Sequence, residues 1–184
     1  MSSSLRLTVD DYEKMIANGA FNGLARRLEF VHGEIREMNP AGPYHYDYIE
    51  FLTYWSHRTL NREEARIQIQ SAILLGDSLP EPDIMWLHPK RYGGQRPRGS
   101  DALLIIEVAD TSLPYDLGEK AMLYAQAGIA DYWVVEIATH RLHQHRQPSA
   151  DGYSQVRKFE RSDIVHPLVK PDAELVLDDL FSEE

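Results

Sequence analysis

Asp83, Glu107 and Lys120 are the residues of this chain best suited to chemistry. Glu107 ends a run of bulky apolar residues in IIEVADTSLPYD. Water is scarce there, and a bare carboxylate is costly unless a cation or hydrogen-bond donors meet it. Asp83 has similar surroundings upstream in EPDIMWL, and Lys120 follows downstream in GEKAMLYAQAGIADYWVVE. Two acids on neighbouring strands with a lysine beside them suit a site that holds a divalent cation and activates water. Adjacent carboxylates repel, and a divalent cation relieves the repulsion and lowers the pKa of water. The lysine can orient that water or steady developing charge.

These groups must be brought together by the elements that carry them. Ile84 to Leu87 and Ala102 to Val108 are short apolar runs that read as buried strands. The Gly- and Pro-rich stretch KRYGGQRPRG, Lys90 to Gly99, is a turn region between them. Facing residues of an antiparallel pair have numbers of constant sum. For Asp83 and Glu107 that sum is 190, which centres the hairpin on Gln95, inside the loop. Directly paired residues point to one face. A helix from Gly118 to Ala127, beginning near Asp116 and ended by Gly128, then leans Lys120 over the strand end. Tyr124 lies four residues on, on the same helix face, as a packing residue with its hydroxyl at the pocket edge. Asp116 suits a helix cap as well as a site residue.

The remaining elements follow from the same patterns. Thr8 and Asp11 form a capping signature for a helix from Val9 to Asn18. Leu28 to Val31, the turn His32-Gly33 and Glu34 to Met38 read as a hairpin. Pro43 starts a helix with an apolar stripe of Tyr48, Phe51, Leu52 and Trp55. Strands are expected at Ala65 to Gln70, Ala72 to Leu75 and Tyr132 to Glu136. Arg141 to His145 and Ser154 to Phe159 suggest a polar, exposed hairpin around Asp151-Gly152. The tail from Ile164 to Phe181 has a mixed pattern. The order fits an α/β sandwich around a mixed sheet, as a single domain over residues 1–184.

Composition narrows the function classes. There are no cysteines, so disulfides, thiolate metal sites and cysteine nucleophiles are excluded, and any metal must be held by oxygen or imidazole. No apolar run is long enough to span a membrane, and the N-terminus lacks a hydrophobic signal core, which suggests a cytoplasmic protein. Lys and Arg number 19 against 29 Asp and Glu, a net charge of −10. That opposes tight non-specific DNA binding without metal, although local patches and bound cations can override it. No nucleophile elbow, phosphate-binding Gly-rich loop or H-E-x-x-H motif is present. His32, His45 and His57 have no characteristic zinc spacing. His143 and His145 alternate on one strand and read as exposed.

EPDIMWL, IIEVADTSLPYD, GEKAMLYAQAGIADYWVVE and RLEFVHGEIREMNPAGPYHY together resemble the Uma family, restriction-endonuclease-like proteins with the PD-(D/E)xK nuclease fold. The resemblance runs from Leu7 to Phe181. It implies a restriction-endonuclease-like α/β sandwich with a mixed central sheet flanked by helices, and hydrolysis of DNA phosphodiester bonds with Mg²⁺ or Mn²⁺. By position it makes Asp83 and Glu107 metal ligands, with the Val108 carbonyl as a third, and Glu29 and His45 accessory to the same pocket. The fold's usual lysine would stand at Ala109, so its role falls to Lys120. The stretch Ala109 to Ser112 departs from the family's Ser-Pro turn. Nuclease-like folds often act in pairs, which makes a homodimer a further expectation. Lys90, Arg91, Arg96 and Arg98 read first as a solvated hairpin tip. As nucleic-acid contacts, Arg91, Arg96 and Arg98 would touch DNA backbone about 15 Å from the acids. The rival reading is a non-enzymatic module that keeps the nuclease fold to bind a protein or nucleic acid.

Overall fold

The strand bearing Glu107 is apolar along its length because it lies inside a sheet covered on both faces. The computed structural model describes residues 5–25, 27–38 and 41–182. Helix α1 (Val9–Ala17) opens on the expected capping box, with Thr8 Oγ1 accepting from the Asp11 N–H at 3.1 Å. Strands β1 (Leu28–Val31) and β2 (Glu34–Glu37) form the expected hairpin. Its turn places His32 and Gly33 both at positive φ, 52° and 77°, the twist that a two-residue hairpin needs. Helix α2 (Pro43–Thr59) uses Pro43 in its first turn, where the missing N–H costs nothing. Then come β3 (Arg66–Ile69), β4 (Ile84–Leu87) and β5 (Ala102–Ala109). The next helical stretch is α3 (Leu113–Tyr115), a π turn (Asp116–Lys120) and α4 (Ala121–Gln126). The chain continues through β6 (Asp131–Glu136), β7 (Arg141–Ser149) and β8 (Gly152–Phe159). It ends with β9 (Ile164–Val165), β10 (Leu175–Val176) and α5 (Leu177–Leu180).

Six strands form one mixed sheet in the order β3-β4-β5-β6-β7-β8. Among the described strands of this sheet only β5 and β6 run parallel, and the α3–α4 stretch is their crossover. The β4–β5 register is Ile84 with Ile106, Met85 with Ile105 and Trp86 with Leu104, each pair summing to 190. A bulge shifts the register only beyond Trp86, toward the loop. One face is packed by α2, whose Tyr48, Ile49 and Leu52 join Ile84, Trp86, Ile106 and Val108. The other is packed by α4, whose Leu123 and Tyr124 join Met85, Ile105 and Tyr132. No helix of the described residues is long and apolar enough to cross a membrane.

Ser56 shows how finely α2 is fitted. It accepts the Trp86 indole N–H at 2.8 Å and donates to the Leu52 carbonyl at 2.6 Å, in the core. Ser56→Ala leaves the indole N–H without that partner. We expect a loss of about 1–3 kcal/mol of stability, read from the midpoint of urea unfolding.

Four expectations need correction. Ala72, Ile73 and Leu75 are buried and Leu74 is half-buried, but the segment forms no strand. The Ile73 N–H bonds Pro80 O, Leu74 bonds Pro97 O and Leu75 bonds Ser78 O, so its donors go to turns and loops instead of a ladder. The helix expected from Gly118 starts at Leu113, because Pro114 is tolerated in a first helical turn. Asp116 therefore lies within the helical stretch and not at its cap. His143 and His145 are 3% and 6% exposed, not solvated, because α4 packs across β7 and β8. His143 meets Glu136 at 2.7 Å. His145 sits between the Tyr132 and Tyr153 rings, and burial pushes its pKa down to about 4, so it is neutral.

Candidate active site

The continued 190 register puts Asp83, just before β4, opposite Glu107 on β5. Asp83 Oδ2 accepts the Val108 N–H at 2.9 Å, so the aspartate takes the ladder position that β4 vacates. A strand residue aims its N–H and C=O at the same edge, so the Val108 carbonyl faces the Asp83 side. His45, in the first turn of α2, places Nε2 at 3.2 Å from the same Asp83 oxygen. Its Nδ1 is buried with no partner among the described residues.

Lys120 arrives from the other side. The π turn carries both Asp116 and Lys120, and such turns concentrate at functional sites because they re-aim side chains within a helix. The Asp116 carbonyl is held by the Tyr132 hydroxyl at 2.9 Å. Lys120 is 3% exposed. Its Nζ lies 2.9 Å from Glu107 Oε1, 3.3 Å from Glu29 Oε1 and 3.8 Å from Asp116 Oδ1. The Tyr124 hydroxyl donates to Glu107 Oε1 at 2.7 Å. Tyr124 itself is fully buried and reaches the cleft only through Glu107.

The acids and the lysine line a cleft of about 380 Å³, with Glu29, His45 and Val108 also in its wall. Several lining residues are not among those expected from the sequence. Tyr115 sits one turn before Lys120, donates to Glu29 Oε2 at 3.2 Å and turns its ring toward the ammonium, 5.6 Å away. Arg27 and Arg36 line the cleft from the β1–β2 side, held by Glu81 and Glu119 at 3.3 Å and 2.8 Å. The alternation in RLEFVHGEIRE, with Glu29 paired to Arg36, is the pattern that marks this wall. Arg91 and Arg96 do not reach this cleft. They lie in the loop at the other end of the β4–β5 hairpin, and Arg98 lines a third hollow.

Electrostatics sets the site apart from an ordinary buried ion pair. Glu29, Asp83, Glu107 and Asp116 oppose one ammonium, a formal excess of three negative charges when all ionise. Burial pushes Glu107 up to about 8; Lys120 and the Tyr124 bond pull down, and the charges of Asp83 and Asp116 push further up. Burial likewise raises Asp116 to about 6 against the pull of Lys120. Burial also opposes ionisation of Asp83, but His45, the Val108 N–H and Lys120 hold it below the usual carboxylate range. For Lys120, burial is outweighed by Glu107, Glu29 and Asp116, so it stays charged. One acid kept ionised beside another kept near neutrality is the arrangement acid–base chemistry uses.

This donor set fits a small divalent cation. Its atoms are hard oxygens, its charge is in excess, and Mg²⁺-type ions take one or two carboxylates plus water. Among the described residues no three His, Asp or Glu side chains form a ligand cluster.

Comparison with curated proteins gives no match. A solved structure from Anabaena variabilis ATCC 29413, titled as "a putative nuclease belonging to DUF820", aligns with a TM-score of 0.76. The two chains are 15% identical, and the alignment covers 95% of this chain and 97% of that one. At this identity the likeness establishes the fold alone, a mixed sheet between helices. A family described as "Putative restriction endonuclease" matches residues 9–178. With that match running through both acids and the lysine, the chain belongs to the Uma2 family and is restriction-endonuclease-like.

Proposed function

We propose that this protein is a metal-dependent endonuclease that hydrolyses DNA phosphodiester bonds in the Asp83–Glu107–Lys120 cleft. The observation that carries the reading is the convergence of two buried carboxylates and a buried ammonium, with acid in excess, in a chain of this family. Asp83, Glu107 and the Val108 carbonyl would hold Mg²⁺ or Mn²⁺. When bound, such a cation supplies Lewis acidity that acidifies water and offsets charge building on phosphorus. Lys120, fixed between Glu107 and Glu29, donates to the attacking water or to a phosphate oxygen. Glu29 and Tyr115 keep the lysine from swinging out. His45 steadies Asp83 in its ionised form, and Arg27 and Arg36 stand in the wall as cations for the substrate's phosphates.

One observation favours the rival module that binds without cutting. Glu107 Oε1 already has Lys120 and Tyr124 as partners, so the cleft is internally satisfied in part. The test is direct. Supercoiled plasmid incubated with the protein and Mn²⁺ is expected to become nicked and then linear, with EDTA stopping the reaction. Titration calorimetry with Mn²⁺ is expected to show saturable binding. Plasmid left intact, with no heat of binding up to millimolar Mn²⁺, would leave the non-cutting module as the better reading.

A further inference from the structure

We infer that a second, basic cleft at the far end of the β4–β5 hairpin binds phosphate oxygens of the DNA backbone. It rests on the nuclease reading only for the identity of the ligand. Its starting point is a deficit in the acid cleft. That cleft is lined by six acids, Glu29, Glu37, Asp83, Glu107, Asp110 and Asp116, against Arg27, Arg36 and Lys120. In a chain of net charge −10, a polyanion needs an anchor elsewhere.

The hairpin loop and β3 form one. A cleft of about 690 Å³ is lined by Arg66, Lys90, Arg91 and Arg96, with Glu13 as its one acid. Lys90 is paired with Asp101 and Arg96 with Glu13, which leaves Arg66 and Arg91 as the cleft's cations without an ion pair among the described residues, and local sign decides where a polyanion settles. The loop is also built, not frayed. The Tyr92 hydroxyl donates to the His88 carbonyl at 3.2 Å, Gln95 N bonds Tyr92 O at 2.8 Å, and Lys90 Nζ stands 5.2 Å from the Tyr92 ring centre. Arg96 is fixed to Glu13 of α1 at 3.2 Å. Two groups within the cleft lack partners. Arg66 Nε, a donor, and Gln68 Oε1, an acceptor, are buried without a hydrogen bond among the described residues. They stand two residues apart on β3, the edge strand, so they share one face of it. An orphaned guanidinium donor in the same cleft as exposed Arg91 suits a phosphate oxygen. A separation of about 15 Å from the acids corresponds to roughly four nucleotide steps at ~3.4 Å each. One strand could therefore reach both clefts.

The experiment is fluorescence anisotropy of a labelled DNA duplex with the full chain in EDTA, where no strand is cut, across a salt series. Arg91→Ala is expected to weaken binding about five- to tenfold at low salt and to lower the slope of log K against log salt by about one. Arg66→Ala should act in the same direction, and Arg161→Ala, an exposed ion-paired arginine on the tail, should change neither quantity. Inorganic phosphate should compete no better than chloride at equal ionic strength. Unchanged affinity and slope in Arg91→Ala overturn the proposal. Saturable phosphate binding lost in Arg91→Ala, with DNA affinity intact, overturns the DNA source in favour of a small phosphate ligand. Duplex that binds through this cleft but stays uncut when Mn²⁺ is supplied would sink the nuclease reading alone.

Discussion

Glu107→Gln is expected to slow DNA cleavage by at least about 10²-fold while leaving the protein folded, because the substitution removes an ionisable carboxylate without removing its shape. The glutamine carbonyl can still accept from Lys120 and Tyr124, which now hold Glu107 Oε1 at 2.9 Å and 2.7 Å. What disappears is one of the two carboxylates available to a divalent cation, together with its repulsion of Asp83 and Asp116. The same variant carries a signature in stability. The folded-state pKa of Glu107 is pushed up to about 8 from 4.5, so between those values the folded protein keeps a proton that the unfolded chain releases. Its contribution is full below about pH 4.5 and is lost as pH rises through about 8. Glutamine does not titrate. The stability of the variant relative to the parent should therefore improve from pH 5 to pH 8.5. Initial rates of plasmid nicking and urea midpoints at the two pH values read both effects. Equal nicking rates would take Glu107 out of the mechanism.

The acids were legible in the sequence for a reason that does not extend to the whole cleft. Turn chemistry at Lys90 to Gly99 and a two-residue period suffice to set a hairpin register, and the observed pairs sum to 190 as the loop centre requires. The bulge that breaks this register lies beyond Trp86, on the loop side, and so does not disturb the acids. Lys120 and Tyr124 were legible because helical spacing keeps them on one face. The π turn was not. Nothing in DLGEK distinguishes it from α-helix, and Tyr115 enters the site by virtue of that turn. Local pattern was equally blind to His143 and His145. Their burial is imposed by α4 crossing β7 and β8, a tertiary fact that overrides a polar-looking strand. Ala72 to Leu75 has strand composition, but its N–H groups find loop carbonyls, and propensity cannot foresee where a donor is spent. The wall made by Arg27 and Arg36 required knowing that the β1–β2 hairpin folds against the sheet end.

Lys120→Met should cost about 3–5 kcal/mol of stability at pH 7.5, the largest effect expected of any single change in this cleft. Methionine keeps the aliphatic stem but leaves Glu107, Glu29 and Asp116 facing one another without a cation. The cost must shrink on acidification. Lys120 is the largest influence lowering the pKa of both Glu107 and Asp116, so without it both pKa values rise further, and the folded variant binds protons that the folded parent does not. Extra protons held only by the folded variant mean that its deficit narrows as pH falls from about 8 toward 5. Adding Glu107→Gln to Lys120→Met should recover part of the loss, and the double-mutant cycle isolates the coupling between the two side chains. A divalent cation should act in the same sense. If the ammonium and the metal answer the same excess of carboxylate, Mn²⁺ will stabilise Lys120→Met more than it stabilises the parent, whatever the variant's activity. Urea unfolding with and without Mn²⁺ distinguishes the two roles of this lysine. A loss below about 0.5 kcal/mol at pH 7.5, the range of an ordinary surface change, would mean that the buried carboxylates are balanced by something other than Lys120. In that case the cleft's charge excess would no longer be a reason to expect a metal there.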